Sequence, residues 1–358
     1  MMPTTRAAEW LQGPAIDTFF DEPMELSDLQ VAFSTGEDGY PISPVPSYIG
    51  LEVTNTCNLH CVHCHYRHGA LGYTREKGFM SPEVFEIAVS QAAKHGISVL
   101  MNYDGEPLLH PKFIDYLQRA TELGVNSYFN TNATLLTPDR VDHILSFYKG
   151  AIFVSMEGGK EWFEKIRTPA SYEVVAAHLA YLIEANERLG RPVKLSVGVS
   201  NLGQPLAERQ AMLQKWLPGL DAMSFGEVND DCGAMISEPF IRMQPRKRPL
   251  CVVPWQTCGI CHNGDVIPCS IYIAKANTTD AILGNIREQS LADIWTGEAY
   301  TRFREALLRQ NHRDAICARC TRWRSQFSFP DEFRPGLRIQ RSGYWTVVHN
   351  IQRESRNS

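Results

Sequence analysis

Short apolar runs alternate with stretches of helical periodicity through the first two-thirds of the chain. Six of these runs read as strands: Tyr48–Val53, Ile97–Tyr103, Val125–Asn130, Ala151–Met156, Val193–Val199 and Ala222–Val228. Between them apolar residues recur every three to four positions, the spacing of a helix that buries one face. Two helix starts are marked outright, since Ser81-Pro82-Glu83-Val84 and Thr137-Pro138-Asp139-Arg140 each place a capping hydroxyl before a proline in the first turn. Six strand–helix units predict a parallel sheet, either a partial barrel or an open doubly wound sheet. In both architectures chemistry gathers at the carboxyl ends of the strands.

The same pattern divides the chain. Residues 1–47 read as an irregular lead-in, and 48–243 as the strand–helix domain. The run Gln244-Pro-Arg-Lys-Arg-Pro249 opens a smaller domain over 244–329, and 330–358 reads as a basic tail with one last strand near Tyr344–Val348. The chain shows no internal repeat and no low-complexity segment.

Composition narrows the partners. With 358 residues, 44% of them hydrophobic, the chain is long enough for a large core plus a second unit without crosslinks. Lys and Arg number 35 against 40 Asp and Glu, a net charge of −5, so no basic excess exists to neutralise nucleic-acid phosphates. No apolar run approaches the roughly 18–20 residues of a bilayer span, and residues 1–50 lack the basic start and apolar stretch of an export signal. The expected location is therefore cytoplasmic, away from membranes. Ten cysteines in a reducing compartment imply metal or catalysis, not disulfides.

Three of the ten sit in Thr56-Cys57-Asn58-Leu59-His60-Cys61-Val62-His63-Cys64, directly after the first strand. Thiolates four and three residues apart can reach three irons of one iron–sulfur cube and leave the fourth iron open. A zinc site completed by His60, His63, His65 or His68 is the competing use of this loop. Six further cysteines follow late: Cys251, Cys258, Cys261, Cys269, Cys317 and Cys320. Here a zinc ribbon built from Cys258-x2-Cys261 and Cys317-x2-Cys320 is the competing reading. Cys232, in Glu227-Val-Asn-Asp-Asp-Cys-Gly233, belongs to neither group by spacing; it is either a hydrogen donor at a strand-end rim or a small buried filler.

The Cys-x3-Cys-x2-Cys loop resembles the hallmark of the radical S-adenosylmethionine superfamily, and the resemblance extends along the strands. Asp104-Gly105-Glu106-Pro107 is similar to the family's Gly-Gly-Glu-Pro segment, Asn130-Thr131-Asn132-Ala133 to its Thr-Asn-Gly stretch, and Ser155-Met156-Glu157-Gly158 to its Ser-x-Asp-Gly segment. The order Pro254-Trp255, Gly264…Cys269, Leu283-Gly284-Asn285-Ile286 and Cys317-x2-Cys320 resembles SPASM and Twitch auxiliary-cluster domains. A single auxiliary cluster fits best, because the cysteines a full SPASM domain carries after Cys320 are absent.

The resemblance implies an α/β fold, a partial (β/α)6 barrel followed by a small SPASM/Twitch-like domain. It implies one 4Fe-4S cluster on Cys57, Cys61 and Cys64 and an auxiliary 4Fe-4S cluster on Cys251, Cys269, Cys317 and Cys320, with Cys258 and Cys261 unassigned. S-adenosyl-L-methionine would then meet His63, Asp104, Gly105, Glu106, Pro107, Asn132, Ser155 and Arg167, with Glu106 facing the methionine amine and Arg167 the carboxylate. The reaction expected is hydrogen abstraction from a small, carbohydrate-containing molecule, fed by flavodoxin or a similar one-electron donor. It leans to epimerisation of a sugar, aminocyclitol or glycosylated natural product in antibiotic biosynthesis, with Cys232 as hydrogen donor. Dehydrogenation of such a substrate, modification of a ribosomal peptide, and non-catalytic electron carriage are the other readings. The 47-residue lead-in is short for a leader-peptide-binding domain, which favours the small molecule.

Overall fold

The computed structural model describes residues 30–31, 43–64, 75–227, 250–275, 281–309, 316–317, 320, 323, 327–342 and 345–354. A short strand β1 (Gln30–Val31) precedes the strand–helix series: β2 (Tyr48–Leu51), α1 (Pro82–His95), β3 (Ser98–Leu100), α2 (Phe113–Glu122) and β4 (Ser127–Thr131). It continues through α3 (Pro138–Phe147), β5 (Ala151–Ser155), α4 (Lys160–Ile166), α5 (Tyr172–Arg188), β6 (Lys194–Asn201), α6 (Leu206–Trp216) and β7 (Ala222–Glu227). Each expected strand is present, and β2 to β7 lie side by side in chain order, all parallel.

The local reasons are those read from the sequence. Helix α1 begins where Ser81 Oγ accepts a bond from Val84 N at 3.3 Å, and it stops at Gly96, whose φ of 66° breaks the repeat. Its buried residues, Val84, Phe85, Ala88, Val89 and Ala92, form one stripe against the sheet. Along β5 and β6 the alternation is strict: Ile152, Val154, Leu195, Val197 and Val199 are buried in the core shared with the helices. The residues between them stand on the other, partly exposed face.

The sheet does not stop at the barrel. Strand β8 (Thr257–Ile260) pairs in parallel with β2, and β9 (Asp265–Ile267) and β10 (Gly284–Asn285) follow antiparallel. Helices α7 (Leu291–Thr296) and α8 (Glu298–Leu308) come next, and β11 (Phe327–Ser328) pairs with β1. At the opposite edge β12 (Glu332–Arg334), β13 (Leu337–Arg341) and β14 (Trp345–Asn350) form a meander whose last strand pairs antiparallel with β7, followed by a short helix α9 (Ile351–Glu354). The twelve strands run β10-β9-β8-β2-β3-β4-β5-β6-β7-β14-β13-β12.

Within 244–329, β8 continues the barrel sheet beyond β2. The expected strand near Tyr344–Val348 is β14, and β12 and β13 precede it in the tail. In each case the added strand covers an edge, β2 or β7, that a partial barrel would leave with unpaired backbone groups. Residues 228–249, including Cys232 and the Gln244–Pro249 boundary, lie outside the described residues. Among the described residues no helix is long and apolar enough to cross a membrane.

Candidate functional site

The three-cysteine loop leaves the end of β2 and is stapled to the end of α4 by His60 N to Thr168 O at 2.7 Å and Val62 N to Ile166 O at 2.9 Å. N–H donors are already turned toward its sulfurs. Leu59 N is 3.4 Å from Cys57 Sγ, Asn132 Nδ2 is 3.9 Å from the same atom, and Arg167 Nη1 is 3.8 Å from Cys61 Sγ. Burial pushes the Cys57 thiol up to about 11, so ligation there requires release of a proton.

Gly105 sits at φ 66°, and a Cβ at that position would stand 2.6 Å from both Thr54 O and Thr56 O. Only glycine lets the Asp104–Pro107 turn lie this close to the cysteine loop. Asp104 Oδ1 accepts from Gly105 N, and Pro107 starts a single 3-10 turn. Glu106 is 2% exposed and straps β3 to β4: Oε1 accepts from Leu108 N and Thr131 Oγ1, and Oε2 from Asn132 N at 2.7 Å. Burial outweighs these donors and raises its pKa above the ordinary carboxylate range. Three of about four acceptor positions are used, which leaves one for an external amine. Ala133, where the family's glycine was expected, holds a φ of 57°, the backbone that glycine serves.

Arg167 does not stand free to meet a ligand carboxylate. Its Nε and Nη2 bind both oxygens of Glu157, the latter at 2.7 Å, with the side chains 9% and 1% exposed. Only Nη1 faces the cysteine loop. Burial pushes Glu157 up, but the charge and hydrogen bonds of Arg167 override it and hold the carboxyl below its usual range. His63 is half-buried, and burial lowers its pKa to about 4, so the ring is neutral. Its Nδ1 is buried without a hydrogen-bond partner, the kind of atom a bound group satisfies. Ser155 ends β5 on the partly exposed face.

Strand register shows what else shares that face. Asn130 lies beside Phe153, Phe153 beside Ser196, Ser155 beside Gly198, Gly198 beside Ser224, and Ser200 beside Gly226. This face is therefore rich in hydroxyl and amide groups, with Lys194 exposed where β6 begins and Tyr128 edge-on to Phe153 at 6.0 Å. The sequence reading named Asn130 and Ser155 but passed over Ser196, Ser200 and Ser224, although the first two of these are plain in the alternation Leu195-Ser196-Val197-Gly198-Val199-Ser200.

The late cysteines separate into two kinds. Cys251, Cys269, Cys317 and Cys320 line one cavity whose other walls are mostly apolar, among them Val253, Ile271, Leu307 and Ile316. Burial, reinforced by the other three sulfurs, raises the Cys269 thiol well above its ordinary value. Cys258 and Cys261 do not line this cavity, and they face opposite sides of the sheet: Cys258 enters the main core, Cys261 the cluster around the cavity. The zinc ribbon they would share with Cys317 and Cys320 is not formed. Among the described residues no three His, Cys, Asp or Glu side chains close around one ion, and the four thiols line one cavity.

Both sites lie on the same side of the sheet. Gly50 and Gly259 are register partners, and the Tyr103 ring occupies the space a Cβ on either would need. Ile267 pairs with Gly259 and belongs to the cavity cluster, against which Tyr103 also packs. Tyr103 immediately precedes Asp104, so its ring links the start of the Asp104–Pro107 turn to the apolar cluster around the four-thiol cavity.

Residues 51–198 match the family model of the Radical SAM superfamily, and residues 251–321 that of the SPASM iron–sulfur cluster-binding domain. The chain is 25% identical over 334 residues to the tungsten-containing aldehyde ferredoxin oxidoreductase cofactor-modifying protein of Pyrococcus furiosus, covering 76% of this chain and 87% of that one. It is 26% identical over 299 residues to the PqqA peptide cyclase of Xanthomonas euvesicatoria, covering 74% and 78%. The crystal structure of BtrN in complex with AdoMet and 2-DOIA shares the fold, with a TM-score of 0.54, 19% identity and coverage of 77% and 93%.

Proposed function

Since the chain carries a radical S-adenosylmethionine domain followed by a SPASM domain, with the two kinds of 4Fe-4S site these imply, we propose that it oxidises a carbon of a small, hydroxyl- or amino-bearing ring. The observation that carries the proposal is the placement of a Ser/Asn-rich face and a four-thiol cavity on one side of the same sheet. Held by Cys57, Cys61 and Cys64 and by Cys251, Cys269, Cys317 and Cys320, the clusters together with S-adenosylmethionine would supply one-electron chemistry, hydrogen abstraction at the first site and electron acceptance at the second.

The protein's own groups do the positioning. Gly105 lets the Asp104–Pro107 turn lie against the cysteine loop, the remaining acceptor position of Glu106 takes an ammonium, and the neutral His63 ring offers a stacking face. Arg167 places positive charge against Cys61, which favours thiolate there. Ser155, Ser196, Ser200, Ser224 and Asn130 present neutral donors and acceptors that orient hydroxyl groups without trapping a charged product. The likeness to BtrN supports a ring substrate of the kind named with that structure.

A second substrate class is favoured by the PqqA peptide cyclase relative, a peptide in place of the ring. A second outcome, epimerisation with Cys232 returning hydrogen, is favoured by the place of that thiol five residues beyond Glu227, the last residue of β7. The test is anaerobic reconstitution with dithionite and S-adenosylmethionine in deuterium oxide, offering aminocyclitols and short peptides in turn. A ring product two mass units lighter and free of solvent deuterium supports the proposal. One deuterium at an inverted carbon refutes oxidation in favour of epimerisation, and turnover of peptide alone refutes the ring substrate.

A further inference from the structure

Tyr272 follows Cys269 by three residues in the 3-10 segment Ser270–Lys275, and it is 1% exposed. Its ring lines the four-thiol cavity and meets Phe303 edge-on at 5.5 Å. The surroundings are those of a phenylalanine. A hydroxyl placed there loses its hydration, and that costs free energy unless a partner replaces water. The partner is the sulfur of Cys317, 3.3 Å from the phenol oxygen.

Between a thiol and a phenol either group can donate. A ligating thiolate carries no proton, so once Cys317 is a ligand only the phenol can donate. We propose that Tyr272 is a tuning residue for the auxiliary site: its hydroxyl donates to the ligating sulfur of Cys317 and raises the reduction potential of the cluster held there. A hydrogen bond to a ligand sulfur withdraws negative charge and favours the reduced, more negative cluster. This matches the accepting role in the function proposed above, and it rests on the reading that Cys251, Cys269, Cys317 and Cys320 hold that cluster. Tyr272 touches no substrate; it acts through Cys317.

The test uses the full chain bearing Cys57→Ala, Cys61→Ala and Cys64→Ala, so that only the auxiliary cluster contributes to the spectrum. Its midpoint potential is measured by EPR-monitored titration with and without Tyr272→Phe. The expected result is a lower midpoint in the Phe variant, about tenfold in the one-electron equilibrium or about 59 mV, with iron and sulfide retained. ENDOR of the reduced cluster in water and deuterium oxide gives an independent readout, an exchangeable proton coupling that Tyr272→Phe abolishes. An unchanged midpoint with retained iron overturns the proposal. If the Phe variant takes up no cluster, the parent protein decides: absence of an exchangeable coupling overturns the proposal, and its presence supports it. A parent protein that itself binds no cluster sinks the four-cysteine reading instead, which separates the two failures.

Discussion

Replacing Arg167 with Met tests the buried pair that joins β5, α4 and the cysteine loop. Glu157 is fully buried, so removing its cation leaves a carboxylate with neither water nor counter-charge. Breaking one side of such a pair costs about 3–5 kcal/mol, whereas replacing both partners is close to neutral. Arg167→Met should therefore lower the urea midpoint of the barrel transition by about 1–1.7 M, taking a slope of about 3 kcal/mol per M. Adding Glu157→Gln should return most of that loss, a coupling of about 2–4 kcal/mol.

The pH dependence supplies the sign. In the native protein burial opposes the charge on Glu157 but Arg167 prevails, so the folded-state pKa is depressed. The pair's contribution is then full above the ordinary carboxylate pKa and fades as pH falls through the depressed value. Without Arg167, burial, the largest influence, outweighs the backbone bond from Ser200, the folded pKa rises, and destabilisation grows as pH climbs above the ordinary value. The gap between native protein and Arg167→Met is thus widest near pH 7–8 and narrows toward pH 4. Anaerobic urea unfolding of the unloaded chain at both pH values measures it. An equal gap at both, or no recovery in the double variant, refutes the reasoning.

Exchanging Cys57, Cys61 and Cys64 together for Ala should remove one 4Fe-4S cluster and all 5'-deoxyadenosine formation while the second cluster stays; unchanged iron content would show that the loop is not a ligand set. Cys251→Ala should lower iron and soluble yield, whereas Cys258→Ala, a core thiol on the opposite face, should leave iron unchanged and cost about 1–2 kcal/mol of stability. Gly105→Ala adds strain of about 1–2 kcal/mol from its positive φ, and a Cβ against two carbonyl oxygens; S-adenosylmethionine binding, followed by equilibrium dialysis, should fall at least tenfold. If Cys232 returns hydrogen, Cys232→Ala should still cleave S-adenosylmethionine but release no epimer, whereas full product formation in that variant leaves the thiol without a chemical role.

Much of this protein is local, and local features are legible in the sequence. The six barrel strands appear where apolar runs were read, because a strand buried against helices needs an apolar residue at every second place. The Cys57–Cys64 loop and the Asp104–Pro107 turn were also readable, since each is one contiguous segment whose spacing is its geometry. The two Cys-x2-Cys pairs behave differently. Cys258–Cys261 and Cys317–Cys320 look alike in sequence, yet only the second lines the cavity, because pairing of β8 with β2, some two hundred residues away, turns Cys258 into the core. The same long-range pairing sets the Tyr103 ring against Gly50 and Gly259, and a separate one, β14 with β7, folds the tail onto the other edge. Arg167 was named from the family resemblance, but its engagement with Glu157 follows from burial, which leaves a guanidinium no option but the nearest carboxylate. Spacing along a chain carries the period of each element, and partners distant in sequence are chosen only when the elements bury their faces and pair their edges together.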